Sequence, residues 1–80
     1  MELKNARLSS KVQVTKIKAE GELRRRFFDL GIIEGTEIEV LFKSPFKDPT
    51  AYLIRGAIIA LREEEARLIE VIYLGENIWF

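Results

Sequence analysis

Apolar residues recur along this chain with two different periods, and the change from one to the other marks its elements. Leu23, Phe27 and Leu30 stand at i, i+4 and i+7. That spacing predicts a helix over residues 22–30 with one buried stripe. Gly31 follows, where a helix commonly ends in a left-handed residue, and Ile32 is placed to pack back onto the last turn. Gly35 allows a tight turn. From there the period is two: Ile38, Val40 and Phe42 share one face of a strand over residues 36–43, and Glu37 and Glu39 share the other.

The same reading extends to the rest of the chain. Residues 1–10 form a lead-in with Leu3 and Leu8 as isolated apolar anchors and a turn at Ser9-Ser10. Residues 11–18 alternate at Val12 and Val14, but Ile17 falls out of phase by one. A bulge near Thr15-Lys16 returns Ile17 to the core face. Pro45 and Pro49 make residues 44–50 a loop, since proline cannot lie in a central strand. Residues 51–55 and 57–61 meet at Arg55-Gly56, a two-residue hairpin link with glycine second. Residues 62–66 form one helical turn opened by glutamates, residues 68–74 form a last strand, and residues 75–80 are a tail that is apolar at its end.

The order is strand, helix, three strands, helical turn, strand. It predicts a mainly β fold: a small five-stranded barrel with one inserted α-helix, with its core over about residues 10–74 of a single domain spanning 1–80. Glu22–Arg26 and Arg25–Asp29 are spaced as i,i+4 ion pairs on the helix.

Composition narrows the chemistry. Thirteen basic and 13 acidic residues cancel, which argues against a dedicated nucleic-acid binder. The chain has no cysteine and no histidine, so disulfides, thiolate nucleophiles and histidine-based catalysis are excluded. Any metal would need oxygen ligands alone. No nucleophile–base pair or phosphate loop can be assembled, so neither an enzyme nor a cofactor is expected. No apolar run approaches the roughly 20 residues of a membrane span, and the charged N-terminus is unlike a signal peptide. The expected setting is cytoplasmic, without insertion into a membrane.

Three pieces of the chain together carry a resemblance. Arg26-Phe27-Phe28-Asp29-Leu30-Gly31-Ile32 with Glu34-Gly35-Thr36 is similar to the Arg-Leu-x-x-Leu-Gly-Ile-x-x-Gly-Thr signature of the ferrous iron transport protein A (FeoA) family. Ser44-Pro45-Phe46-Lys47-Asp48-Pro49 is similar to that family's Ala-Pro-Leu-Gly-Asp-Pro loop. Gly56, Ile59-Ala60-Leu61-Arg62, Glu65-Ala66 and Ile69-x-Val71 are similar to its C-terminal pattern. The resemblance covers about residues 10–72. The chain departs from the family at Ser10-Lys11 and at Lys47, where the family usually has glycine. The resemblance implies an SH3-like barrel in a cytosolic accessory of the ferrous iron transport membrane GTPase (FeoB). The same fold occurs as a C-terminal module of metal-dependent repressors; with no DNA-binding domain ahead of it, the stand-alone form is favoured.

Several side chains have both a functional and a structural reading. Arg24-Arg25-Arg26 could meet phosphate, an acidic partner or anionic lipid, but helical charge runs are usually solvated. Arg26 lies in the signature, where a tie to the helix–turn backbone is expected. Glu63-Glu64-Glu65 reads as a dipole-favoured helix start rather than a weak hard-metal site. Phe46, Tyr52, Tyr73 and Trp79 could line a groove for a proline-rich or extended peptide, the alternative function; Tyr52 and Tyr73 read equally as core edges. Ile78-Trp79-Phe80 is expected to dock on its own barrel or on a second copy, which would make a homodimer through the tail. The expected GTPase-docking residues are Arg24, Arg25, Phe28, Phe46, Lys47 and Trp79.

Overall fold

The computed structural model describes residues 1–75. The expectations for Trp79 and for the Ile78-Trp79-Phe80 tail lie outside them. Five strands, β1 (Lys11–Ile17), β2 (Glu37–Lys43), β3 (Thr50–Ile54), β4 (Ala57–Leu61) and β5 (Ile69–Tyr73), form one antiparallel sheet in the order β4-β3-β2-β1-β5. Helix α1 (Gly21–Asp29) separates β1 from β2, and a single helical turn, α2 (Glu63–Ala66), separates β4 from β5. The inward residues of all five strands meet Phe27 of α1 and Ala66 of α2 in one apolar cluster, and Leu23 and Leu30 pack against it half-buried. One core therefore serves the whole domain, as an 80-residue chain requires.

The end of α1 closes as the sequence predicts. Gly31 takes φ +86°, its N–H donates to the Phe28 carbonyl at 3.0 Å, and the Ile32 N–H donates to the Phe27 carbonyl at 2.8 Å. This is a Schellman motif, which satisfies two carbonyls that the helix leaves open. Ile32 and Phe27 are both fully buried. The Thr36 hydroxyl then donates to the Gly31 carbonyl at 2.8 Å and accepts from the Ile33 N–H at 3.1 Å, so the turn is closed by its own side chain. In β1 the register against β5 shifts between Val14 and Lys16, and Ile17 packs against the core, as the bulge predicts. Arg55 and Gly56 take φ 50° and 83°, the conformation of a two-residue type I′ hairpin.

Four expectations are corrected. Phe42 does not share the face of Ile38 and Val40. The β2–β3 register shifts between Val40 and Phe42, the extra residue turns the strand over, and Phe42 is 58% exposed. Leu8 is exposed, whereas Leu3 is fully buried. The lead-in is also more than an anchor: the Met1 carbonyl accepts from Val71 N–H at 2.8 Å and its ammonium donates to the Val71 carbonyl at 3.1 Å, lining the outer edge of β5. Arg26 pairs with Glu65 on α2, neither with Glu22 nor with the turn backbone. Arg55 from the β3–β4 hairpin takes the turn position instead, its Nε donating to the Gly31 carbonyl at 3.3 Å.

Three charged groups brace the β5 side. The Lys18 ammonium lies 3.0 Å from Glu70 and 3.6 Å from Glu2. Its hydrogen bond to Glu70 raises the lysine above its ordinary value, and the same bond lowers Glu70 below the usual carboxylate range.

Candidate functional site

The register of α1 decides which of its side chains can meet a partner. With Phe27 pointing to the core, Arg24 and Phe28, one turn apart, face outward together. Arg24 is held by the end of β1: its Nη1 donates to the Ile17 carbonyl at 3.2 Å. Phe28 is 65% exposed. After the Schellman turn, Ile32 goes inward and Ile33 is left outward and partly exposed. Ile17, Arg24, Phe28, Ile32, Ile33 and Glu34 line one small groove, four apolar side chains with one basic and one acidic one. A large aromatic left in water at such a place marks a contact surface better than an isolated exposed leucine does.

The other expected contact residues are placed apart. Arg25 is on the helix but points away from this groove, and its Nε lies 3.5 Å from Asp29, the predicted i,i+4 pair. Phe46 stands at the tip of the proline loop with 91% exposure, and Lys47 beside it is exposed; neither lines the groove. Lys47 takes φ +70°, so the loop keeps the left-handed residue that glycine usually supplies. The loop is firmly built. Ser44 Oγ donates to the Asp48 carbonyl at 2.8 Å, and the Lys47 N–H donates to the Ser44 carbonyl at 2.8 Å. The Asp48 carboxylate accepts from the Glu63 N–H at 2.8 Å, so the loop caps the start of α2. Phe46 is thus an exposed apolar group on an ordered support.

Among the described residues the expected aromatic side chains do not share a groove. Tyr52 is buried at the centre of β3, where loss of hydration pushes its hydroxyl up to about 12. Tyr73 is half-buried, covered by Arg7 at 4.2 Å from its ring centre, with its hydroxyl accepting from the Arg7 N–H. The glutamates of α2 turn to cations: Glu63 to Lys4 at 3.4 Å, and Glu65 to Arg26. Among the described residues no three acidic groups converge as a cation site would need, and no helix is long and apolar enough to cross a membrane. The surface chemistry on offer is recognition by apolar contact and charge.

Sequence reasoning missed Ile33 and Glu34. The signal was the apolar pair Ile32-Ile33 after Gly31, of which a Schellman turn can bury only one.

The family description that matches this chain is the FeoA domain, over residues 1–73. A curated relative from Porphyromonas gingivalis (strain ATCC BAA-308 / W83), an Fe(2+) transport protein A/Fe(2+) transporter FeoB fusion protein, is 29% identical over 77 residues, which are 96% of this chain and 9% of the relative. The chain thus spans under a tenth of the length of that relative. Among solved structures, the FeoA-like protein of Clostridium acetobutylicum is 39% identical with a TM-score of 0.87, covering 100% of this chain and 93% of its own. The FeoA protein of Chlorobium tepidum is 32% identical with a TM-score of 0.89, covering 98% and 74%. The zinc-complexed FeoA of Stenotrophomonas maltophilia, described as a procaryotic SH3 domain protein, is 26% identical with a TM-score of 0.79 over 90% and 89%.

Proposed function

The chain belongs to the FeoA domain family, a family of ferrous iron transport with an SH3-like fold, and from that premise we propose that it is a non-enzymatic accessory that docks on the cytosolic part of a FeoB-type membrane GTPase. The observation that carries this reading is the groove at the end of α1, where exposed Phe28 and Ile33 share one lining with Arg24 and Glu34. A second support is the relative in which an A-type and a B-type transport protein are one chain, since fusion keeps two associating domains at high effective concentration. Phe28 is the anchor of the contact, Arg24 its charged rim, and Phe46 with Lys47 a separate arm on the proline loop. Binding modulates GTP turnover or assembly of the transporter from the cytoplasmic side.

Titration of isotopically labelled protein with the GTPase domain tests this. Resonances of Phe28, Ile33 and Arg24 are expected to shift, and Phe28→Ala is expected to weaken binding while leaving the fold intact. Binding with no shift at α1 or at the proline loop would remove the surface assignment. A second reading, an adaptor for proline-rich peptides, is disfavoured by the burial of Tyr52 and the Arg7 cover over Tyr73.

A further inference from the structure

The sheet has two edges, and they are treated differently. The outer edge of β5 is occupied: Met1 exchanges hydrogen bonds with Val71, and Glu2 bridges Glu70. Among the described residues the outer edge of β4 has no such cover, and no backbone hydrogen bond reaches it. The hairpin register shows which groups are left over. Ile54 and Ala57 flank the two-residue turn, so they form a hydrogen-bonded pair, as do Tyr52 with Ile59 and Thr50 with Leu61. The N–H and C=O groups of Ile58 and Ala60 therefore point away from β3, and no described backbone group receives them. The strand reads Ala57-Ile58-Ile59-Ala60-Leu61, without a charge, a proline or a bulge, the devices that keep edge strands apart. Ile58 is 67% exposed, on the outer face that it shares with Ala60, Ala51 and Phe42.

We infer that this edge pairs with the same edge of a second copy, β4 against β4 in antiparallel register centred on Ile59. The edge is self-complementary in three ways. An axis at Ile59 sets Ile58 opposite Ala60 of the other copy, and these are the residues whose backbone groups point outward, so the free donors and acceptors meet one another. Each large Ile58 then faces a small Ala60, which leaves room for it beside Phe42 and Ala51 on the outer face. The same register brings Arg55 of one copy towards the exposed Glu63-Glu64 at the start of α2 in the other, so the ends attract. The paired edge shares no residue with the α1 groove, so a partner protein and a second copy can be held at once.

Sedimentation of the full chain over micromolar to millimolar concentration tests this. A reversible dimer is expected. Ile58→Lys and Ala60→Glu, both at exposed positions that make no core contact, should each weaken it about tenfold. The double variant Ile58→Lys/Ala60→Glu places each new lysine opposite a new glutamate in this register alone, and should recover most of the loss. Circular dichroism should show all three folded. A chain that sediments as a monomer throughout, a dimer indifferent to both single substitutions, or a double variant as weak as the sum of the singles, would each overturn the inference. None of these results bears on docking at α1, which is read from Phe28.

Discussion

Arg55 lies across Gly31, two residues 24 positions apart: the arginine Nε donates to the glycine carbonyl at 3.3 Å, and a Cβ on Gly31 would stand 2.6 Å from Arg55 Cδ. The β3–β4 hairpin thus rests on the turn that ends α1. Gly31→Ala faces two separate costs. Alanine at φ +86° is strained by about 1–2 kcal/mol, and the arginine must move. Because the arginine is flexible, the backbone cost dominates. In urea denaturation Gly31→Ala should lose most of that amount even when Arg55→Ala has already removed the clash.

Phe27 and Phe28 are adjacent and should behave oppositely. Phe27 is fully buried and Phe28 is 65% exposed. Phe27→Ala should cost about 3–5 kcal/mol, enough to unfold much of a domain this small. Phe28→Ala should stay within about 0.5 kcal/mol of the parent. Thermal denaturation of the two variants separates core from contact surface.

Asp48 joins the proline loop to α2. Asp48→Ala leaves the Glu63 N–H without its acceptor and should cost about 1 kcal/mol, whereas Asp48→Asn keeps an acceptor oxygen and should cost less. Slower amide exchange at Glu63 in the parent and in Asp48→Asn than in Asp48→Ala would report the bond directly.

The Lys18–Glu70 pair sets a pH window. Glu70 is lowered in the folded state, so its contribution is present above its ordinary value of 4.5 and is lost as pH falls through the lower folded value. Lys18 is raised, so its contribution is present below 10.5 and is lost as pH rises through the higher folded value. Lys18→Met should therefore lower the melting temperature near neutrality, and the difference from the parent should shrink in acid once Glu70 is protonated. An equal difference at all pH values would show that the pair acts only through packing.

Tyr52 should titrate late. Burial holds its hydroxyl neutral up to about 12, so it stabilises the fold fully below pH 10 and progressively less as pH rises towards 12. In a Tyr73→Phe variant Tyr52 is the one remaining tyrosine. Its tyrosinate absorbance should appear near pH 12 or together with unfolding, and a step near pH 10 in the folded protein would contradict its burial.

Where the sequence reading failed, a distant neighbour decided the outcome. Val40, Leu41 and Phe42 are a continuous apolar run, and nothing local says that the strand turns over between them; the pairing with Ala51 and Tyr52 does. Arg26 had an acid at the correct helical spacing in Glu22 but met Glu65, 39 positions away. Phe46 and Phe28, both expected to meet a partner, are exposed, but α1 supports one and the Asp48-capped loop the other.

What the chain alone determined is what neighbours within a few residues can enforce: the stripe and glycine stop of α1, the bulge of β1, the type I′ turn at Arg55-Gly56 and the single core. Backbone dihedrals and side-chain period are local properties, so they are written in short stretches. What only the folded molecule decided is which local signals were overruled across space. The bulge that exposes Phe42, the Met1 cover on β5, the open edge of β4, and the meeting of Phe28 with Ile33 each depend on contacts between segments that the sequence keeps apart. Burial and strand pairing are satisfied globally, and no short window of residues holds enough of the interior to say which side chain will be left in water.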